Sequence, residues 1–257
     1  MFFHYNSEDV DLSSYSDRYM SDYQFENLLV GFRHKKVKQI LLEIQSTLDQ
    51  CRVLEVGIGA NLLVNAVSLN DSFSWSIVEP DKNFLNLVPK QKHITTHQEF
   101  FENCGNVKAY RGRYEIIILS CILHEVDFRD MIKETARNLA PNGFVLVVNP
   151  NVNSLHRQIA LAAGIISKLD DKSDRSKFLG QTEMISDTML INEFLNYSLQ
   201  LKNMTGNFVK PFTHKQMERL FSWEEFNDII DGLDNLSSEL VELCCEKIFV
   251  FNNRIIT

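Results

Sequence analysis

Cysteine is scarce in this chain. There are five in 257 residues (Cys51, Cys104, Cys121, Cys244 and Cys245), and no two stand at Cys-x-x-Cys spacing. That argues against a disulfide-stapled secreted domain and against the common zinc frameworks, and the thiols read as reduced core residues of a cytoplasmic protein. Positive charge is also in deficit: 26 Lys and Arg face 34 Asp and Glu, for a net charge of −8. Such a field repels a phosphate backbone, so no nucleic-acid partner is expected. No apolar run approaches the ~20 residues that a bilayer-spanning helix needs, so no membrane partner is expected either. The first residues, Met1-Phe2-Phe3-His4-Tyr5-Asn6, lack the basic region of a signal peptide. Phosphate-cradling Gly-x-x-x-x-Gly-Lys-Ser/Thr loops, Gly-x-Ser-x-Gly elbows and metal-spaced His/Cys clusters are missing, and no metal is expected. There is no internal repeat and no low-complexity tract.

What is present centres on Arg52-Val53-Leu54-Glu55-Val56-Gly57-Ile58-Gly59-Ala60-Asn61-Leu62. The apolar run predicts a buried strand, the two glycines a tight turn, and Leu62–Leu69 a helix. A glycine turn between strand and helix lets the backbone pass close to a ligand. A second strand, Trp75-Ser76-Ile77-Val78, ends in Glu79-Pro80-Asp81. Glu79 lies about twenty residues past the glycines, the spacing at which a carboxylate meets a ribose hydroxyl pair. Glu55 bears on the ligand's charge. At the tip of the first strand it would oppose a pyrophosphate and welcome a cation.

The rest of the chain alternates strand and helix. Strands are predicted near 52–57, 74–79, 93–97, 114–120 and 144–149, and helices near 61–70, 81–88, 98–103 and 128–139. This is the pattern of a parallel α/β sheet covered on both faces. Residues 1–23 are polar with Tyr5, Tyr15, Tyr19 and Tyr23, either a frayed end or an arm over the site. A long helix follows from Phe25 to Leu48, with Arg33-His34-Lys35-Lys36 as its solvated basic face, or with Arg33 turned toward a ligand carboxylate. Another helix is expected at 153–168. Residues 183–203 are ambiguous between helix and strand. An antiparallel pair at about 207–212 and 246–252 should flank a helix around Phe221–Leu233.

Glu55-Val56-Gly57-Ile58-Gly59-Ala60-Asn61 resembles the first motif of class I S-adenosylmethionine (SAM) methyltransferases, Glu/Asp-x-Gly-x-Gly-x-Gly, with Asn61 in place of the third glycine. Glu79-Pro80-Asp81, the strand Tyr114–Ser120 and the Leu139-Ala140-Pro141-Asn142-Gly143 turn follow in the order of that family. Pro150-Asn151, Ser154-Leu155-His156-Arg157 and Val209-Lys210-Pro211-Phe212-Thr213 further resemble bacterial small-molecule methyltransferases of sugar and secondary-metabolite pathways. The Asn/Asp-Pro-Pro-Tyr signature of base-amino methyltransferases is missing after strand four.

The resemblance implies a Rossmann-like, seven-stranded, mostly parallel sheet with an antiparallel final strand. It implies an arm and helix over residues 1–50 that cap the site. The SAM-binding domain would run from 51 to 257, with a helical insert at about 153–200. SAM would lie against Glu55, Gly57, Gly59, Asn61, Glu79, Pro80, Glu99, Phe100, Ser120 and Cys121. The reaction expected is methyl transfer to a small polar metabolite, an oxygen on a sugar-like or phosphorylated compound. His124 or His156 would take the acceptor's proton, since histidine's ordinary pKa of about 6.5 suits a base near neutrality. Arg157 and Lys210 would pair with an anionic substrate group, and Tyr19 of the arm would approach the substrate. The competing readings are an NAD(P)-dependent oxidoreductase on a related fold and a non-catalytic SAM-binding protein.

Overall fold

The computed structural model describes residues 24–59, 62–67, 73–101, 113–172, 177 and 181–253. Seven strands form one sheet: β1 (Cys51–Val56), β2 (Phe73–Val78), β3 (Ile94–His97), β4 (Tyr114–Ser120), β5 (Leu139–Pro150), β6 (Gln200–Asn207) and β7 (Glu246–Asn252). Their spatial order is β3-β2-β1-β4-β5-β7-β6. Neighbours from β3 through β5 pair parallel. β7 runs antiparallel to both β5 and β6, so it alone is reversed.

The helices are α1 (Gln24–Gln45), α2 (Lys82–Leu85), α3 (Phe128–Asn138), α4 (Leu155–Ala162), α5 (Asp187–Asn196), α6 (His214–Leu220) and α7 (Trp223–Glu239). They make a three-layer α/β/α arrangement. On one face Val37, Ile40, Leu41 and Ile44 of α1 pack on Val53, Trp75, Ile116, Leu146 and Ile248. Those α1 positions recur at i, i+3, i+4 and i+7, the stripe of a helix lying on a core. On the other face Phe128, Met131 and Ile132 of α3, with Leu190 and Phe194 of α5, pack on Leu54, Ile117, Val147 and Phe249. Ile116, Ile117, Ile118 and Leu119 of β4 are all fully buried, as a strand covered on both faces requires. A third, smaller cluster joins Leu29 of α1 to Phe208, Met217 and Ile230 beside the end of β6.

The seven-stranded sheet with its reversed last strand matches the expectation, but several element bounds differ. The helix expected at Leu62–Leu69 is only a 3₁₀ turn, Leu63–Asn65, within the described residues. β6 lies at Gln200–Asn207, not 207–212, and the ambiguous 183–203 stretch divides into α5 and that strand. Its alternation is weak because Gln200, Lys202 and Asn203 face outward from an edge strand. The helix expected at 153–168 ends at Ala162. Gly164 follows in the left-handed region at φ 68°, a conformation that closes a helix readily.

In the basic face predicted for α1, Lys35 is exposed, but Arg33 and Lys36 are not solvated. Arg33 donates through Nε to Glu246 at 3.0 Å and through Nη2 to the same carboxylate. Lys36 pairs with Asp234 at 2.8 Å and donates to the Gly206 carbonyl at 3.0 Å. The charges on α1 therefore fasten it to β6, β7 and α7. Helical spacing reports which residues share a face, but not that a charged face will meet buried acids.

Candidate functional site

The strand order reverses between β1 and β4, and in such sheets ligands bind beyond the carboxyl ends of the strands flanking that point. The ends of β1, β2 and β3 are level there. Gly57 N–H donates to the Val78 carbonyl at 2.9 Å, and Glu79 N–H to the His97 carbonyl at 3.1 Å. Gly57 and Gly59 adopt φ of 68° and 56°, the left-handed region that only glycine enters without strain. A Cβ at Gly57 would meet the Ile122 side chain at 2.8 Å. A Cβ on Gly59 would meet nothing within 4 Å, so the turn borders open space.

Glu79 closes the turn. Its Oε2 accepts from Ile58 N–H at 3.0 Å and its Oε1 from Asp81 N–H at 2.9 Å. Burial pushes its pKa up to about 6 against those amide contacts. Asp81 caps α2, its Oδ1 accepting from Asn83 N–H at 2.7 Å. Its Oδ2 is buried without a hydrogen-bond partner. Two acceptors with unused lone pairs thus stand at the glycine turn, suited to accept from ligand hydroxyl or amino groups. Pro80 lies between them, half-buried, and Glu99 and Phe100 are half-buried just past β3.

Glu55 does not reach the edge in the same way. Its Oε2 accepts from Trp75 Nε1–H at 3.0 Å, inside the core. Burial drives its pKa to about 7, opposed by that bond and by the Leu63 amide. Glu55 thereby ties β1 to β2 and to the turn that follows the glycines. Asn61 and Tyr19 lie outside the described residues.

At the end of β4, Ser120 is half-buried and Cys121 takes φ 55°, turning the chain sharply. Burial pushes the Cys121 thiol up to about 12, so it is neutral. His124 sits in the 3₁₀ turn Leu123–Glu125, with Nε2 at 3.0 Å from Glu125 Oε1. Gln181 Nε2 donates to the same Glu125 oxygen at 2.8 Å. Nε2 thus faces a carboxylate, and Nδ1 is the ring's other nitrogen. Nδ1 is buried and unpartnered.

Beyond β5, His156 lies in the first turn of α4. Burial first, then the fields of Lys210, Arg157 and His214, depress its pKa to about 2. Arg157 is committed locally: Nε donates to the Leu169 carbonyl at 2.6 Å and Nη2 to the Asp171 carbonyl. Lys210 Nζ lies 2.8 Å from His214 Nε2. Arg157 and Lys210, chosen from sequence, thus both come within electrostatic reach of His156, while His124 stands apart after β4.

Glu246 and His214 were not foreseen. Glu246 opens β7, is buried, and accepts from Arg33 and from Asn207 Nδ2 at 2.9 Å. Burial alone would raise its pKa, but Arg33, Asn207 and Lys210 together outweigh burial and hold it below the ordinary carboxylate range. The signal available was a Glu246-Lys247 pair opening an apolar strand, since charges so placed need partners. Lys247, fully buried on the opposite face, meets Asp187 and Glu242 at 2.5 Å each.

No family model and no curated protein matches this chain. Solved structures do. The N-methyltransferase NodS from Bradyrhizobium japonicum, in complex with S-adenosyl-L-homocysteine, aligns over 95% of this chain and 98% of its own at TM-score 0.56 and 10% identity. A SAM-dependent methyltransferase from Archaeoglobus fulgidus aligns over 89% and 99% at TM-score 0.53 and 10% identity. The [4+2]-cyclase SpnF aligns over 86% and 81% at TM-score 0.56 and 8% identity. These likenesses establish that the chain has the Rossmann-like fold of class I SAM-dependent methyltransferases.

Proposed function

We propose that the protein is a SAM-dependent methyltransferase acting on a small polar metabolite. The observation that carries this reading is the glycine turn itself. Two left-handed glycines, the amide-held carboxylate of Glu79 and the unpartnered Asp81 Oδ2 stand together at the β1/β4 switch point. Glu79 accepts from the ribose hydroxyls, and Gly57 and Gly59 keep the homocysteine end close to the backbone. Pro80 and Phe100 flank the adenine ring, with Glu99 beside it, and Asn61 is a further contact of the cofactor. Glu55 supports the turn from below and places a carboxylate near a cationic ligand. Ser120 and Cys121 border the reacting end, where a neutral thiol leaves the wall weakly polar. The NAD(P) alternative has weaker support. The usual dinucleotide sheet runs 3-2-1-4-5-6 in parallel, whereas here a reversed β7 stands between β5 and β6.

When bound, SAM supplies an electrophilic methyl sulfonium, and the protein supplies alignment and exclusion of water. His124 is the better candidate for the base. Glu125 holds its Nε2, leaving Nδ1 to accept the acceptor's proton, the logic of an oriented imidazole. His156, with its pKa near 2, is a poor base at neutral pH. The acceptor is an oxygen on a sugar-like or phosphorylated compound, approached by Tyr19 of the arm. The cyclase among the fold's relatives makes the acceptor assay essential, because one fold hosts several chemistries.

Calorimetric titration tests the cofactor: S-adenosylhomocysteine binds and NAD does not. The reverse result defeats the reading. Mass spectrometry of metabolite pools incubated with labelled SAM tests the reaction. His124→Ala should lower turnover roughly 10²–10⁴-fold with cofactor affinity unchanged. Near-wild-type turnover in that variant would remove the base and leave the methyltransferase assignment in place.

A further inference from the structure

Residues 181–186 form no helix or strand, yet side chains tie them to the carboxyl edge of the sheet just before α5 begins. At one end Asn149 of β5 donates through Nδ2 to the Ile185 carbonyl at 3.0 Å, and Ile185 is buried in the core under α3 and α5. At the other end Thr182 holds the 3₁₀ turn after β4. Its N–H donates to the His124 carbonyl at 2.7 Å, and its Oγ1 lies 3.0 Å from the carbonyls of both His124 and Val126. Carbonyls at the end of a short helical turn lack a partner within it, and Thr182 supplies one.

Gln181 reaches a side chain instead of the backbone. Its Nε2 donates to Glu125 Oε1 at 2.8 Å, and the same oxygen faces His124 Nε2 at 3.0 Å. After burial, the fields of Glu246 and Glu125 raise the Cys121 thiol, which puts the Glu125 carboxylate near the residue that follows β4. His124 is only 6% exposed, and its Nδ1 is buried with no hydrogen-bond partner. An imidazole can offer either nitrogen to a carboxylate, and the terminal torsions of both side chains turn readily. With Nδ1 unpartnered, a ring flip that brings it to Glu125 competes with the observed arrangement. A second donor on Glu125 Oε1 fixes the carboxylate and so favours one nitrogen.

We propose that Gln181 is a positioning residue: it holds Glu125 so that His124 keeps Nε2–H toward that carboxylate and presents Nδ1 to the methyl acceptor. Gln181 touches no reacting atom and acts through Glu125. The proposal deepens the methyltransferase reading and rests on it for the role of Nδ1 as the base. The orientation of the ring does not depend on that role.

The test is NMR of the full chain carrying ¹⁵N-labelled histidine, without cofactor, at about pH 9, where imidazoles are neutral and the two ring nitrogens report the tautomer. His124→Gln assigns the resonances. The wild-type ring should carry its proton on Nε2 alone. Gln181→Met keeps the length and removes the donor, and should populate the Nδ1–H form to roughly a tenth or more. Glu125→Gln should also mix the tautomers, because an amide can donate as well as accept. The double variant should be no more mixed than Glu125→Gln alone, since Gln181 acts through Glu125. A merely structural Gln181 would lower the urea midpoint and leave the tautomer intact. That result overturns the proposal, as do additive effects in the double variant or a wild type that already holds both forms. Gln181→Ala is read in the same way if the methionine variant fails to fold. Failure of the methyltransferase reading registers separately, as S-adenosylhomocysteine that does not bind the wild type, and failure of the base as turnover retained in His124→Ala.

Discussion

At the β1–β2 half of the carboxyl edge the buried charged groups are acids, and neutral donors hold them. Glu55 takes Trp75 Nε1–H, and Glu79 takes the amides of Ile58 and Asp81. At the β5–β7 half the groups are mixed but dominated by bases, and side chains hold them: Arg33 with Glu246, Lys210 with His214. Dipoles of fixed backbone can stabilise a carboxylate but leave its pKa raised, as at Glu79. A guanidinium acting with a side-chain amide and an ammonium outweighs burial and lowers the pKa, as at Glu246. One edge therefore carries an acidic half and a basic half, each held by a different kind of partner.

The largest expected effect breaks the basic half. Glu246→Ala strands Arg33 in a buried site, and removal of one partner of a buried pair typically costs about 3–5 kcal/mol. Urea denaturation should show that loss, and an unchanged midpoint would mean that water reaches Arg33.

The acidic half predicts the opposite sign. Glu55 has a folded pKa of about 7 against an ordinary 4.5. The fold favours the protonated form, so this contribution is full below pH 4.5 and is lost as pH rises through 7. Glu55→Gln should therefore stabilise the protein by up to about 3 kcal/mol at pH 8. It should make little difference at pH 4. Stability curves that run parallel across that range would contradict the assignment.

Glu79→Ala should weaken S-adenosylhomocysteine by roughly 1.5–3 kcal/mol, the worth of a hydrogen bond to a charged group. Calorimetry on the folded variant measures it, and unchanged affinity would detach Glu79 from the ligand. The smallest effect is a control outside both halves. Arg52 donates through Nε to Glu115 Oε2 at 3.0 Å, but its side chain is 40% exposed. Arg52→Ala should cost no more than about 1 kcal/mol, as exposed pairs do. A larger loss would show that exposure is a poor guide to the worth of ion pairs here.

The two halves also differed in how far they could be read from sequence. The glycine turn and Glu79 were legible because local constraints fix them. A tight turn needs positive φ, and a strand end about twenty residues later must lie beside it. Strands β1, β4 and β5 were legible because burial on both faces demands continuous apolar runs. β6 was misplaced by several residues because an edge strand with outward polar residues has no such run. The 62–69 helix was overdrawn because apolar periodicity over a few residues cannot tell a 3₁₀ turn from an α-helix.

The sequence by itself determined the α/β layering, the glycine turn with its acid, and the positions of His124 and His156 after the fourth and fifth strands. Each follows from spacing along one chain segment. Only the tertiary structure decided which charges meet. Arg33 and Glu246 are 213 residues apart, and His156 shares its field with Lys210 and His214 from beyond β6. Such pairings depend on β7 turning back between β5 and β6, and on α1 lying across that edge. A pattern confined to neighbouring residues carries no record of either.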